Sequence, residues 1–184
     1  MQVEFSRHRP EIAYSVLVFS DLSRSPAIQI CNTGLGVARN LTVDISVPLD
    51  DVLPAFNEAF LDDNLNLSRE CGNLKFETTW GDGTVVSHTH SMSCVMREQY
   101  LFAGRANTIE AEIPAYLPEM LRLVAVRVFE KDDGKGKELL KMITLNVRAE
   151  FFDEGGKRYN SEYLYTFTDG RFDHETRKYH LRFK

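Results

Sequence analysis

Hydrophobic and polar residues alternate with period two over much of this chain. Leu41, Val43, Ile45 and Val47 form one side of a run whose other side is Thr42, Asp44 and Ser46. Ile143, Leu145, Val147, Ala149 and Phe151 alternate in the same way with Thr144, Asn146, Arg148 and Glu150. Ile109, Ala111 and Ile113 alternate with Glu110 and Glu112. Successive side chains of a strand point to opposite faces, so each run predicts a strand with one buried and one solvated face. Val, Ile, Thr, Tyr and Phe fill these runs, as a pleated, half-buried surface favours. Further strands are predicted over Ile12–Phe19, Ala27–Cys31, Leu121–Phe129 and Tyr179–Phe183.

Turn residues separate the runs. Gly81-Asp82-Gly83 divides Leu74–Trp80 from Thr84–His90, and Asp153-Glu154-Gly155-Gly156 divides Ile143–Phe152 from Tyr159–Thr168. Both read as hairpins, because glycine reaches the positive φ of tight turns. Roughly nine or ten strands with short connections predict an all-β antiparallel sandwich rather than βαβ units. One segment departs from this pattern. Val52, Leu53, Phe56 and Phe60 recur at helical spacing, with Asp50 or Asp51 as a cap and Pro54 in the first turn. A single domain over 1–184 is expected, with a short helical insert at 50–73.

A chain of 184 residues can bury a core without disulfide or metal support. Its 43% hydrophobic and 27% charged residues are ordinary globular usage. The net charge of −5 argues against a dedicated nucleic-acid binder, which would draw its affinity from phosphate contacts. Three scattered cysteines, Cys31, Cys71 and Cys94, do not form a disulfide framework. The first ten residues lack the apolar stretch of a secretory signal, and no run approaches the length of a membrane span. A cytoplasmic setting is expected, with membrane association only through a partner or a tether beyond this chain.

The stretch Ile28-Gln29-Ile30-Cys31-Asn32-Thr33-Gly34-Leu35-Gly36-Val37-Ala38-Arg39-Asn40-Leu41-Thr42-Val43 resembles a strand–turn–strand of small prokaryotic immunoglobulin-like sandwich domains. In those, an apolar strand runs into Asn-x-Gly-x-Gly-x-Ala-x-Asn and then into a second alternating strand. Leu101-Phe102-Ala103-Gly104 before Thr108–Ile113, and Val147–Tyr159 with its Asp153–Gly156 turn, are similar to later parts of the same family. The resemblance spans about two-thirds of the chain and leaves out 50–73 and the tail after Asp169. It implies an immunoglobulin-like sandwich, often found beside transmembrane helices or other modules, and it brings no catalytic residues. The motif also has a structural cause of its own. Asn32, Gly34 and Gly36 reach backbone conformations that β-branched residues resist, and Ala38 is small enough for a crowded strand crossing. A dinucleotide loop is excluded, because it needs a third glycine and a following helix where Asn40–Val47 reads as a strand.

Candidate chemistry is sparse. His88 and His90 share one face of a strand and are spaced to chelate a metal, yet a zinc site needs three or four protein ligands. His8, His174, His180, Cys71 and Cys94 are the distant candidates, and none has compelling spacing, so no metal or cofactor is expected. Asp62-Asp63-Asn64-x-Asn66 lacks the glycine and glutamate of a calcium loop and reads as a polar turn. Asp132-Asp133-Gly134-Lys135-Gly136-Lys137 reads as a solvated turn between strands. Cys94 sits in an uncharged run, which is the setting of a structural thiol rather than a nucleophile. No Gly-x-Ser-x-Gly elbow is present.

The tail carries the most distinctive surface. Arg171, Arg177, Lys178, Arg182 and Lys184 outnumber Asp173 and Glu175 within an acidic chain. Basic residues on an edge strand deter unwanted pairing, and the same face can meet an anion. The sequence therefore predicts a binding or interaction module without a catalytic centre. Its surface would be Arg177, Lys178, His180, Arg182 and Lys184, with the loop around Trp80, Asp82 and His88. A protein partner or a homo-oligomer is expected, with nucleic acid disfavoured. The alternative is a sensor domain that holds a small anionic or nucleotide ligand between protomers. A metal-dependent hydrolase stands third.

Overall fold

The computed structural model describes residues 9–17, 27–130, 134–173 and 178–183. In chain order the elements are β1 (Ile12–Leu17), β2 (Ala27–Asn32), β3 (Ala38–Ser46), α1 (Leu49–Ala59), β4 (Leu65–Glu70), β5 (Asn73–Thr79), β6 (Val85–Ser91), β7 (Cys94–Leu101), β8 (Thr108–Glu112), α2 (Tyr116–Glu130), α3 (Gly134–Met142), β9 (Thr144–Phe152), β10 (Arg158–Asp173) and β11 (Lys178–Phe183). The chain is about 50% strand and 25% helix, with antiparallel sheets. It is mostly β rather than all β. It divides into two compact units: Met1–Ile45 with Ser93–Ile113 and Asn146–Tyr163, and Ser46–Met92 with Pro114–Leu145 and Leu164–Lys184.

The first unit holds one sheet in the order β1-β2-β8 and another in the order β10-β9-β3-β7. The alternating runs bury the expected faces. Leu41, Val43 and Ile45 of β3 are buried, as are Val147, Ala149 and Phe151 of β9, while Arg39 and Arg148 point to solvent. The β9–β10 turn forms where the glycines predict it. Gly156 has φ +80°, and its N–H donates to the Asp153 carbonyl at 3.1 Å. The Asp153 carboxylate accepts from the Lys157 N–H at 2.8 Å and from the Tyr159 hydroxyl at 3.0 Å. Those bonds, the Lys157 N–H foremost, hold the Asp153 carboxyl below its ordinary range. Its contribution to stability is therefore complete above the usual carboxylate range and is lost as pH falls through the depressed value.

Asn32 is the polar centre of this unit. Its side chain is fully buried, at 0% exposure. The amide oxygen accepts from the N–H groups of Glu11 and Gly34, both at 3.1 Å. The amide nitrogen donates to the carbonyls of Gly36 at 2.6 Å and Leu101 at 3.1 Å. Gly34 is required for a different reason from the conformational one expected. A Cβ there would run into the Arg9 carbonyl oxygen and come within 2.5 Å of the Glu11 nitrogen. The residue of the motif that adopts positive φ is Asn40, at +49°, a conformation that asparagine tolerates better than most residues. Gly34→Ala is expected to cost about 1–3 kcal/mol, since the atoms it meets are backbone and cannot rotate away. A urea melt checks this, and an unchanged midpoint would count against the close approach.

The second unit contains the sheet β4-β5-β6 and the three helices. Helix α1 packs on β4 and α3, and α2 packs on α3. Two details of α1 differ from expectation. Pro48 stands at its cap position, so Asp50 and Asp51 lie in the first turn, where their charge suits the helix dipole. Pro54 lies inside the helix and cannot donate to the Asp50 carbonyl one turn back.

Two larger expectations are corrected here. Leu121–Phe129 is helix, the greater part of α2, and not a strand. Tyr116, Leu117, Met120, Leu121, Val124, Ala125 and Val128 are all buried, and that stripe has the helical period. The β-branched residues within it mimic a strand when the run is read from Leu121 alone. Gly134-Lys135-Gly136-Lys137 opens α3 and is not a turn between strands. Gly136 is buried, and a Cβ there would press on Val128 and Arg127, so it marks helix–helix contact. Residues 131–133 lie outside the described residues. Asp62-Asp63 falls in a 3₁₀ turn that ends at Asn64 in the left-handed conformation. Asp63 pairs with the buried Arg127 at 2.5 Å, which makes it a structural ion pair.

Candidate metal centre

The β5–β6 hairpin forms as its glycines predict. The Trp80 N–H donates to the Thr84 carbonyl at 2.8 Å, and Gly83 has φ +81°. The Asp82 carboxylate accepts from the Thr84 N–H at 2.9 Å, and that bond holds its carboxyl below the ordinary range. Trp80 is 62% exposed at this turn. His88 lies beyond the turn in β6, so the structure separates its setting from that of Trp80 and Asp82.

The register aligns Phe76 of β5 with His88 and Leu74 with His90. Leu74 and Phe76 are buried, so both imidazoles project from the sheet face that carries the core. Phe76 stacks on His88 with centroids 5.1 Å apart and planes 4° apart, and meets His90 edge-on at 5.7 Å. The phenyl ring therefore fixes both imidazoles against one side.

Helix α2 supplies the third member. Tyr116 at its first turn is fully buried, and its hydroxyl donates to the Met92 carbonyl just beyond β6 at 3.4 Å. Burial pushes that phenol up to about 12. One turn of helix is 3.6 residues, which places Glu119 on the same side of α2. The Glu119 oxygens both lie 2.9 Å from His88 Nε2, and one lies 3.0 Å from His90 Nε2.

One donor atom from each of His88, His90 and Glu119 lies within 4.8 Å of the others. In a tetrahedral zinc site with bonds of about 2.0–2.1 Å, neighbouring donors sit about 3.3 Å apart. The nitrogen–oxygen separations of 2.9 and 3.0 Å need only a slight expansion to admit an ion. Two imidazoles and a carboxylate suit a divalent first-row transition metal. The side chains of His90 and Glu119 are 26% and 27% exposed and that of His88 is 48% exposed, so the open side of the cluster lies at His88.

Compared with known proteins, the chain matches no family model, no curated protein and no solved structure.

The remaining sequence candidates fall elsewhere. Residues 178–183 form β11, which pairs antiparallel with β10 and ends its sheet. Arg177 and Lys184 lie outside the described residues, as do the side chains of Lys178, His180 and Arg182. His8 and His174 lie outside them too. Cys94 is half-buried. Burial, followed by the carboxylates of Glu112 and Asp44, pushes its thiol up, which opposes nucleophilic use.

In the first unit, a shallow groove of about 390 Å³ includes Arg148, Glu150, Arg158 and Glu162. Arg148 pairs with Glu162 at 3.0 Å and Arg158 pairs with Glu150, so these four charges are matched, and Asp44 is the fifth charged residue of the groove. Among the described residues no helix is long and apolar enough to cross a membrane.

Glu119 is the member of the candidate cluster that sequence reasoning missed. It lies 29 residues from His90 and 31 from His88, and no local spacing joins them. The Pro118-Glu119 opening of a helix was the available signal, and it becomes visible only once the Tyr116–Val128 stripe is read at helical period.

Proposed function

We propose that this chain is a binding module whose ligand is a divalent transition-metal ion, held by His88, His90 and Glu119. The convergence of the two Nε2 atoms on one carboxylate carries this reading. Imidazole and carboxylate are the donors that zinc, cobalt and nickel accept, and three of them meet on two different elements. Tyr116 and Phe76 orient the set from below, as supporting side chains do around metal ligands. In this reading the first unit is an immunoglobulin-like sandwich built on the sheets β1-β2-β8 and β10-β9-β3-β7.

Isothermal titration of chelator-stripped protein with zinc chloride tests the reading. One ion per chain is expected, with affinity falling on acidification because each imidazole must be free of its proton to bind. Absence of a binding isotherm with zinc, cobalt and nickel would refute the metal site.

A further inference from the structure

Three protein donors leave a tetrahedral ion one position for a further ligand, and the cluster is open at His88, the most exposed of the three. The surface beside that opening is apolar. Pairing of β5 with β6 sets Thr78 opposite Val86, two residues from Phe76 and His88. The Trp80 N–H donates to the Thr84 carbonyl, which carries the pairing further toward the turn. Side chains two apart on a strand share a face, so Val86 and Trp80 follow His88 on the face that carries the imidazoles. Both are more than half exposed. At about 3.3 Å per residue, Val86 lies about 7 Å from His88 along the strand, and the Trp80–Thr84 pair about 13 Å. In the other direction α2 begins against Met92, so the free side runs toward the hairpin turn. Charge is one-sided as well. A divalent ion beside one carboxylate keeps a positive charge, and Arg122, exposed one turn after Glu119 on α2, adds to it.

Resting on the metal reading above, we propose that the fourth position of the ion takes the carboxylate of a small amphipathic acid, whose hydrocarbon body lies along Val86 and Trp80. The carboxylate replaces water on the ion, and the hydrocarbon leaves water for apolar surface that is otherwise exposed. Neither contact is strong alone. Two side chains make too small a patch to hold a chain without the ion, and a carboxylate without a chain gains nothing from the patch. Joined, they favour a medium-chain acid over acetate, which has the same head and no body.

Coordination and burial have separate readouts. Cobalt in place of zinc gives a visible spectrum that reports a change of ligand. Trp80 is the single tryptophan of the chain, and the emission of zinc-loaded protein shifts to the blue as its indole leaves water. Octanoate added to the full chain is expected to move both signals. Acetate is expected to move only the cobalt spectrum and to bind at least about tenfold more weakly, a ratio that burial of two methylenes supplies. Val86→Ser with Trp80→Ala leaves all three metal ligands in place, and is expected to bring the two acids within about threefold of each other on the cobalt spectrum. Equal affinity of the two acids for the wild type would overturn the apolar contact and with it the proposal. Octanoate binding that persists in chelator would overturn anchoring by the ion. A cobalt spectrum unmoved by either acid would overturn the proposal and leave the metal site standing. Absence of metal binding would overturn both readings.

Discussion

Asn32→Ala is expected to lower the unfolding free energy by roughly 3–5 kcal/mol, among the largest effects of any single change in this protein. An asparagine amide can accept two hydrogen bonds and donate two, and all four are made here, to Glu11, Gly34, Gly36 and Leu101. Removing the amide strands two N–H groups and two carbonyls around a site with no solvent exposure. Each buried group left unmatched costs about 1–3 kcal/mol, less whatever water recovers. Asn32→Asp separates hydrogen bonding from volume. It keeps the shape but sets an oxygen against the Gly36 and Leu101 carbonyls, so it is expected to destabilise at least as much as alanine. Urea unfolding of the three proteins checks this. A loss under about 1 kcal/mol for both variants would mean that the amide is not the centre it appears from its geometry.

His90→Ala and Glu119→Gln are each expected to weaken zinc binding by at least about a hundredfold, beyond the tenfold to hundredfold usual for supporting residues around a metal. Zinc at a hundred times its dissociation constant should raise the unfolding free energy of the wild type by about 2.7 kcal/mol. For a chain of this size that is a rise in Tm of roughly 5–10 °C, and it should vanish in both variants. Glu119→Gln is the more informative change. It keeps a hydrogen-bond acceptor for an imidazole and removes the negative charge that a divalent ion requires. If the cluster were held only by hydrogen bonds between His88, His90 and Glu119, zinc would not move the melting curve of any of the three proteins. Melting curves in chelator, compared with curves in zinc, distinguish the two cases directly.

The strands were legible because their signal is local. Leu41 to Val47 and Ile143 to Phe151 repeat at period two, and no other regular element presents one face at that spacing. The two hairpins were legible because Gly83 and Gly156 sit where φ is positive. Helix α2 was obscured by its own composition. Leu121, Val124, Val126 and Val128 favour strands, and the helical stripe emerges only when Tyr116, Leu117 and Met120 are included. Helix α3 begins with Gly-Lys-Gly-Lys, which carries the marks of a turn. Its burial of Leu139 and Leu140, with Gly136 in close contact with α2, is a tertiary feature that the Gly-Lys-Gly-Lys opening does not reveal.

A strand with two histidines on one face was thus readable from the chain itself, and so was a tight turn at the Asn32 motif. The chemistry of each came from elsewhere. Asn32 draws its partners from Glu11 and Leu101 as well as from its own turn, which is why spacing alone suggested a backbone conformation rather than a saturated amide. His88 and His90 share a strand face by period two, but Glu119 joins them only because α2 starts against the end of β6. Alternation and turn chemistry act between neighbours in sequence and can be read there. A metal site depends on which distant side chains converge within a few ångströms, and the packing of α2 against the β5–β6 hairpin decided that.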